Sequence, residues 1–410
     1  MKFDSTDLAR LKHAGFDFES DKNGKSKTDD VLLISSHVVR AGSFRGMPTV
    51  LMQGPGDDAL HAVVDGLHWV IHTLGLVEVF GSFRVAVRKN DAAAAVPDHT
   101  VAALARLAAV VGCELVQFEL DDAGLRFSPI ALPVKSPEAD PRATDDWPDA
   151  VRGRQPKLPQ SAQDLDKALN GSVPSFRWYQ SVTGKIWSGR VAGWQVCEAS
   201  GGSSDIIWRT QAANSPVQLP VGAVLKQNIL DFAKLRAKQD EDEGKHKLEH
   251  MLESAVLRGA IQVQPNAQGP TLKPLFAPSQ VPFQFPTLYA HGGSARYVDA
   301  LMRDCDTLWA LELKVPTGGE GQYYRHALTQ AVLYREFIRN AVAFHPWFQG
   351  LDQGQPALQP KFCQAAVVFP KLKSDRKTLL PMLQKTALHL GVRIVELDLT
   401  VDAMRTRAMA

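Results

Sequence analysis

Residues 296–315, RYVDALMRDCDTLWALELKV, alternate apolar and polar side chains in the way that is typical of β-strands. Residues 303–306 interrupt the alternation with side chains that favour a turn. The stretch therefore predicts two antiparallel strands joined by a short loop, with Asp299 on the first strand. Glu312 and Lys314 are two positions apart on the second strand, so both side chains are expected on the same face of the sheet.

The predicted hairpin collects two carboxylates and one ammonium group on a small area of the sheet. Burying each of these charges without a partner would cost several kcal/mol. A divalent cation or a substrate phosphate bound beside them would offset this cost, since carboxylate oxygens are the ligands that hard cations prefer. The alternative interpretation is a surface ion pair on a half-exposed hairpin that has no role in chemistry.

Helices are predicted on both sides of the hairpin. Residues 322–342 have helical periodicity, and Gln330 and Tyr334 lie four residues apart on the same stripe as the apolar side chains. Residues 221–257 are also predicted to be mostly helical, and Gly244 divides this segment into two helices. The hairpin is therefore expected between two helices that can cover its sheet.

Taken in order, these motifs resemble those of the PD-(D/E)XK nuclease superfamily and, within it, of the RecB-type exonucleases. The pattern of that family is an aspartate, a Glu-x-Lys pair and then a helix that carries Gln-x-x-x-Tyr. The matching residues here are Asp299, Glu312, Lys314, Gln330 and Tyr334. Val298 occupies the position at which the family name records a proline. The match extends approximately over residues 245–400.

The family also has an acidic helix before its hairpin, and residues 246–257 correspond to that helix. They offer two glutamates, Glu249 and Glu253, which are four residues apart and so share a helix face. Glu253 is the favoured counterpart of the family's helix carboxylate, because it is nearer to the apolar run at 255–257. Glu249 is the second candidate for this carboxylate.

The resemblance implies a fold, a metal site and a set of catalytic residues. The fold is a restriction-endonuclease-like mixed sheet flanked by helices. Glu253, Asp299 and Glu312 would hold one or two Mg²⁺ or Mn²⁺ ions, and Lys314 would orient or deprotonate the attacking water. The catalytic residues that it implies are Asp299, Glu312, Lys314, Gln330 and Tyr334. The last two would shape the site and contact nucleic acid near the cleaved bond.

The function that the resemblance implies is metal-dependent hydrolysis of phosphodiester bonds in phage defence, restriction or repair. Nucleic acid is the expected partner, with DNA favoured over RNA. The alternative is a catalytically silent module that keeps the nuclease fold to bind nucleic acid or a protein. The sequence contains no phosphate-loop motif, so any ATPase or helicase partner would act in trans. Strandedness of the substrate, cutting from ends or internally, and oligomeric state stay open.

Length and composition bound the remaining possibilities. The 410 residues carry a formal net charge of +2, so the chain can form several domains, and no global charge draws it to nucleic acid. The apolar runs are too short to span a membrane, and the polar residues 1–7 do not form a signal peptide, so we expect a cytoplasmic protein without a membrane partner. The predicted division is a separate smaller α/β domain at 1–132, a Pro-rich linker at 133–174, a Trp- and Gly-rich β meander with a helix at 175–240, and the nuclease-like domain at 241–410.

Two further patterns each allow a functional and a structural interpretation. His61, His68 and His72 have helical spacing and could hold a metal, but a partly exposed helix face without a ligand role is favoured. The aromatic segment 176–208 could stack on nucleotides, but tryptophans that fill the small core of a β meander are the favoured explanation.

Overall fold

The protein is a mixed α/β chain with several sheets. The computed structural model describes residues 3–19, 39–53, 57–76, 78–89, 98–130, 158–180, 186–209, 216–238, 245–275, 285–287, 296–315, 321–351, 355–372 and 379–410. These residues form three sheets of five or six strands, one two-stranded ribbon and flanking helices. None of the helices in the described ranges is long and apolar enough to cross a membrane.

The first sheet contains six strands that lie side by side in chain order. They are β1 (Phe16–Phe18), β2 (Val39–Phe44), β3 (Met47–Met52), β4 (Arg84–Arg88), β5 (Glu114–Asp121) and β6 (Gly124–Pro129). The three central strands are parallel, and the outer pairs are antiparallel. The associated helices are α1 (Ser5–His13), α2 (Asp57–His72) and α3 (Asp98–Val111). Because parallel neighbours need crossover connections, α2 and α3 link β3 to β4 and β4 to β5.

The second sheet is the predicted meander, and this prediction is confirmed. Its antiparallel strands are β7 (Phe176–Gln180), β8 (Ile186–Val191), β9 (Trp194–Ser200), β10 (Asp205–Trp208) and β11 (Val217–Pro220). Two helices, α4 (Gln160–Leu169) and α5 (Ala223–Lys238), pack on it. Trp178, Trp187 and Trp208 are buried in the core between them, which confirms that these tryptophans fill a core.

The predicted linker at 133–174 lies partly outside the described residues. Its described part contains α4, whose Leu165 and Leu169 belong to the core of the second sheet. This end of the segment is therefore built into the fold, because its apolar side chains at helical spacing have a sheet face to cover.

The third sheet carries the hairpin. Its strands, with those of the two-stranded ribbon, are β12 (Lys273–Pro274), β13 (Phe285–Thr287), β14 (Arg296–Val298), β15 (Ala300–Asp304), β16 (Thr307–Leu313), β17 (Gln364–Pro370) and β18 (Arg393–Leu397). The sheet order is β12-β15-β16-β17-β18, and within the described residues β13 pairs with β14 alone. β15 and β16 are antiparallel, as predicted, whereas β16, β17 and β18 are parallel. A mixed sheet flanked by helices is thus confirmed.

Helices cover both faces of this third sheet. They are α6 (Lys245–Leu257), α7 (Gly321–Asn340), α8 (His345–Gln349), α9 (Leu379–Leu390) and α10 (Val401–Met409). Leu308 and Ala310 of β16 face the cluster that contains α7 and α9, whereas Trp309 and Leu311 face the cluster that contains α6 and α10. The expected alternation of apolar and polar residues is therefore not met in β16, which is almost continuously apolar because both of its faces are buried. The helices predicted on either side of the hairpin are confirmed in α6 and α7.

The first and third sheets share a core. Side chains of α2 and α3 pack in one cluster with those of α7 and α9. Within this interface the Arg325 Nε lies 2.6 Å from Asp65 Oδ1, and the rings of His61 and His326 are stacked with centroids 3.7 Å apart. The α/β region predicted at 1–132 therefore packs against the helix that follows the hairpin, and the expectation that it is separate from the nuclease-like part is not met.

The prediction that the histidine face of α2 is partly exposed was wrong for His68. This residue is buried, and its Nδ1 lies 2.7 Å from the hydroxyl of Thr386 on α9. Burial, followed by the positive charge of Arg325, lowers the pKa of His68 to about 3. The sequence pattern of one helix could not show that α9 covers it from more than 300 residues away.

The β8–β9 turn docks the second sheet on α6. Its residues Ala192 and Gly193 both have positive φ, the conformation of a type I′ turn. A side chain at Gly193 would overlap the backbone carbonyl of His250 on α6. Only glycine therefore allows this approach of the turn to the helix.

We predict that Gly193→Ala destabilises the protein by several kcal/mol, because it adds a clash with α6 to the backbone strain of about 1 kcal/mol expected for Ala at positive φ. Gly171→Ala is the matched control, since Gly171 also has positive φ (70°) but faces open space. Thermal unfolding of both variants measures the difference. Equal losses at the two positions would show that the contact with α6 is unimportant.

Candidate active site

The charged residues predicted on β16 lie at its end and are in contact with one another. Lys314 follows the last residue of the strand, and its Nζ forms an ion pair with Glu312 Oε1. Both residues are buried. Among the described residues, no hydrogen-bond donor reaches the other carboxylate oxygen of Glu312. The expectation that both side chains share one face of the sheet is therefore met.

Asp299 lies at a bend between β14 and β15, and not within the first strand of the hairpin as expected. The chain breaks here because β14 pairs with β13 whereas β15 pairs with β16. The Oδ2 atom of Asp299 accepts a hydrogen bond of 2.8 Å from the backbone N–H of Leu313. This bond holds the carboxylate beside the segment that carries Glu312 and Lys314.

The pKa of Asp299 is raised well above its ordinary value. Burial is the largest cause, and the negative charges of Glu312 and Glu253 act in the same direction. The positive charge of Lys314 and the hydrogen bond from Leu313 act in the opposite direction but do not outweigh them. The site is thus an environment in which further positive charge would be favourable.

The pKa of Lys314 is also raised, but in a lysine a raised pKa favours the charged form. Burial disfavours its ammonium form, but the charges of Glu312, Asp299 and Glu249 outweigh burial and raise its pKa. Lys314 is therefore protonated near neutral pH in this structure. An ammonium group surrounded by three carboxylates is consistent with a positioning or charge-neutralising role.

Both candidate glutamates of α6 face this group of charges, but they have different partners. Glu249 Oε1 accepts a hydrogen bond from the Tyr323 hydroxyl and lies 4.0 Å from Lys314 Nζ. Glu253 is buried and its Oε2 lies 3.2 Å from His250 Nδ1. Glu253 acts electrostatically on Asp299. Glu249, in contrast, is the glutamate of α6 that lies near Lys314.

Gln330 and Tyr334 lie further along α7. A helix rises 1.5 Å per residue, so Gln330 is about 10 Å and Tyr334 about 16 Å beyond Tyr323 along the helix axis. Gln330 is half-buried, and Tyr334 is fully buried within the apolar cluster shared with α2 and α3. The roles that the resemblance implies for these two residues stay predictions.

Tyr323 is the residue that sequence reasoning missed. It lies in the first turn of α7, where its hydroxyl contacts Glu249 and accepts the N–H of Val315 at 3.3 Å. The topology could have indicated Tyr323, because a helix that connects parallel strands begins beside the carboxyl end of the first strand. The first turn of α7 is therefore expected near Lys314, ahead of the Gln330 turn.

The donor set partly fits a divalent cation. With all four carboxylates ionised, Glu249, Glu253, Asp299, Glu312 and Lys314 carry a formal charge of −3, and their oxygens are hard ligands. Within the described part of the chain, however, no three or more His, Cys, Asp or Glu side chains form a group that could hold a metal ion. The residues with the right chemistry to hold Mg²⁺ are Asp299, Glu312 and Glu253.

Comparison of the chain with protein-family models, with curated proteins and with solved structures finds no match. The fold and the site geometry therefore carry the functional argument.

We predict that Asp299→Asn raises the free energy of unfolding by about 1 kcal/mol at pH 8 in the presence of a chelator. The change removes a buried negative charge beside Glu312 and Glu253, while the amide oxygen can still accept the N–H of Leu313. Urea unfolding measures the gain. Asp398→Asn, at a highly exposed carboxylate, is the control and should leave stability unchanged. A less stable Asp299→Asn variant would contradict this electrostatic account.

Proposed function

We propose that the protein is a metal-dependent nuclease that hydrolyses phosphodiester bonds, with DNA as the favoured substrate. The observation that carries the proposal is the buried group of carboxylates around one lysine at the end of β16. Buried charges of this kind reduce stability unless something binds them, which is a common feature of active sites.

The topology supports a restriction-endonuclease-like fold for the third sheet. The antiparallel pair β15–β16 is followed by α7, which crosses over to the parallel strand β17. In this order the aspartate precedes the hairpin, Glu312 lies on the second strand with Lys314 directly after its end, and the acidic helix lies on the opposite face from α7. The acidic helix and the strand that carries Glu312 match the secondary structure that the resemblance implies, whereas Asp299 lies at a bend and Gln330 and Tyr334 lie further along α7.

Each residue of the site has a chemical task in this proposal. Asp299, Glu312 and Glu253 are the residues that would hold the cation. When bound, a divalent ion supplies Lewis-acid activation of water and neutralises charge on the phosphate. Lys314 keeps an ammonium group beside Glu312, where it can donate a hydrogen bond to the attacking water or to a phosphate oxygen. The N–H of Leu313 keeps Asp299 oriented.

The alternative is a silent module that uses the nuclease fold for binding alone. The buried Glu312–Lys314 pair with Asp299 beside it favours catalysis over this alternative. A site without a catalytic role would not need these charges, because apolar residues of similar volume could replace them and increase the stability of the protein.

We predict that the wild type cleaves labelled DNA with Mg²⁺ or Mn²⁺ and not with a chelator, and that Asp299→Ala and Lys314→Ala each lower the rate at least about a hundredfold. Linear duplex, circular duplex and single-stranded DNA, with a matching RNA, should be compared to identify the substrate and to distinguish cutting from ends and cutting within the strand.

Lys371→Ala is the matched control for the lysine substitution. Lys371 follows β17, is exposed and pairs only loosely with Asp398 at 3.4 Å. This variant should cleave like the wild type. Folded wild type that binds DNA but cleaves nothing with either metal would favour the silent module over the nuclease.

A further inference from the structure

We propose that Glu249 and Tyr323 form a positioning pair that holds the ammonium group of Lys314, and that Glu249 is not a metal ligand. This inference rests on the proposed nuclease function for its catalytic consequence, but the arrangement of the three side chains can be tested without cleavage. Neither the Glu-x-Lys pair nor the Gln-x-x-x-Tyr helix motif includes Tyr323.

Tyr323 connects the three elements that meet at the site. Its hydroxyl donates to Glu249 Oε1 on α6 and accepts the N–H of Val315, which follows β16. Tyr323 itself is on α7. The hydroxyl oxygen of Tyr323 thus connects α7 to α6 and to the residue segment that follows β16.

Lys314 is held between Glu249 and the aromatic ring. Its Nζ lies 4.0 Å from Glu249 Oε1 and 5.4 Å from the centroid of the Tyr323 ring, in addition to its ion pair with Glu312. A lysine side chain loses considerable rotamer entropy when its end is fixed. Fixing its end before substrate binds therefore needs several partners, and a single carboxylate would leave it free to rotate.

The contacts also indicate different roles for the two glutamates of α6. Glu249 Oε1 already accepts the Tyr323 hydroxyl and faces the ammonium group. Glu253, in contrast, is buried, lies with its Oε2 3.2 Å from His250 Nδ1, and acts electrostatically on Asp299. A carboxylate that accepts a tyrosine hydroxyl and faces an ammonium is poorly placed to give the same oxygen to a cation, so Glu253 is the ligand of the pair.

The direct test is the accessibility of Lys314 to a brief pulse of an acetylating reagent, measured by peptide mass spectrometry on the full chain. Tyr323→Phe and Glu249→Gln should each increase acetylation of Lys314 about three- to tenfold: Glu249→Gln removes the carboxylate charge that faces the ammonium group, and Tyr323→Phe removes the hydroxyl that holds this carboxylate in place. Tyr324→Phe is the matched control: it removes the hydroxyl of the next tyrosine, whose ring packs on Phe369, and should leave Lys314 protected.

A second measurement separates positioning from metal binding. Calorimetric titration with Mn²⁺ should give nearly wild-type affinity for Tyr323→Phe and Glu249→Gln, but an affinity at least about tenfold lower for Glu253→Gln. In single-turnover cleavage, the first two variants should be at least about tenfold slower, with the DNA concentration for half-maximal rate unchanged.

The outcomes distinguish this inference from the proposed function. Unchanged acetylation of Lys314 in Tyr323→Phe and Glu249→Gln, or a loss of Mn²⁺ affinity in Glu249→Gln equal to that in Glu253→Gln, would overturn the positioning pair. If the wild type binds no Mn²⁺ and cuts no DNA while Lys314 becomes accessible in both variants, the nuclease proposal fails and the positioning of Lys314 stands.

Discussion

The burial of Lys314 and Glu312 at the end of β16 is the constraint on which the rest of the third sheet depends. Two opposite charges in a buried strand are tolerated only when nearby groups complete their interactions. Asp299, held by the N–H of Leu313, and the two glutamates of α6 supply more negative charge than one lysine can balance. This excess of negative charge is the basis for the proposed cation.

Helix α7 links this site to the N-terminal part of the chain. Its first turn places Tyr323 beside Lys314, and the neighbouring Arg325 pairs with Asp65 of α2 in the buried interface. The first sheet therefore supports the helix that completes the site, although its own residues do not contact the lysine in the described geometry. The second sheet supports α6 in a similar way, through the turn at Gly193.

Local patterns predicted the hairpin, α6, α7 and the β meander, because each depends on periodicity and turn residues within its own segment. They failed where distant parts of the chain decide the environment. His68 is buried because α9 covers it, and Asp299 sits at a bend because its two neighbouring strands join different partners. Tyr323 was missed since only the crossover of α7 brings it to Lys314. The spacing of residues could not show these contacts.

The most direct test of the central claim is anomalous diffraction from crystals soaked in Mn²⁺, collected near the manganese absorption edge. We predict an anomalous peak within coordination distance of Asp299 and Glu312, with Glu253 as the nearest further carboxylate and Lys314 moved off Glu312 Oε1. A fully soaked crystal with no peak among these carboxylates, or with a peak on Glu249 and not on Asp299, would contradict the account.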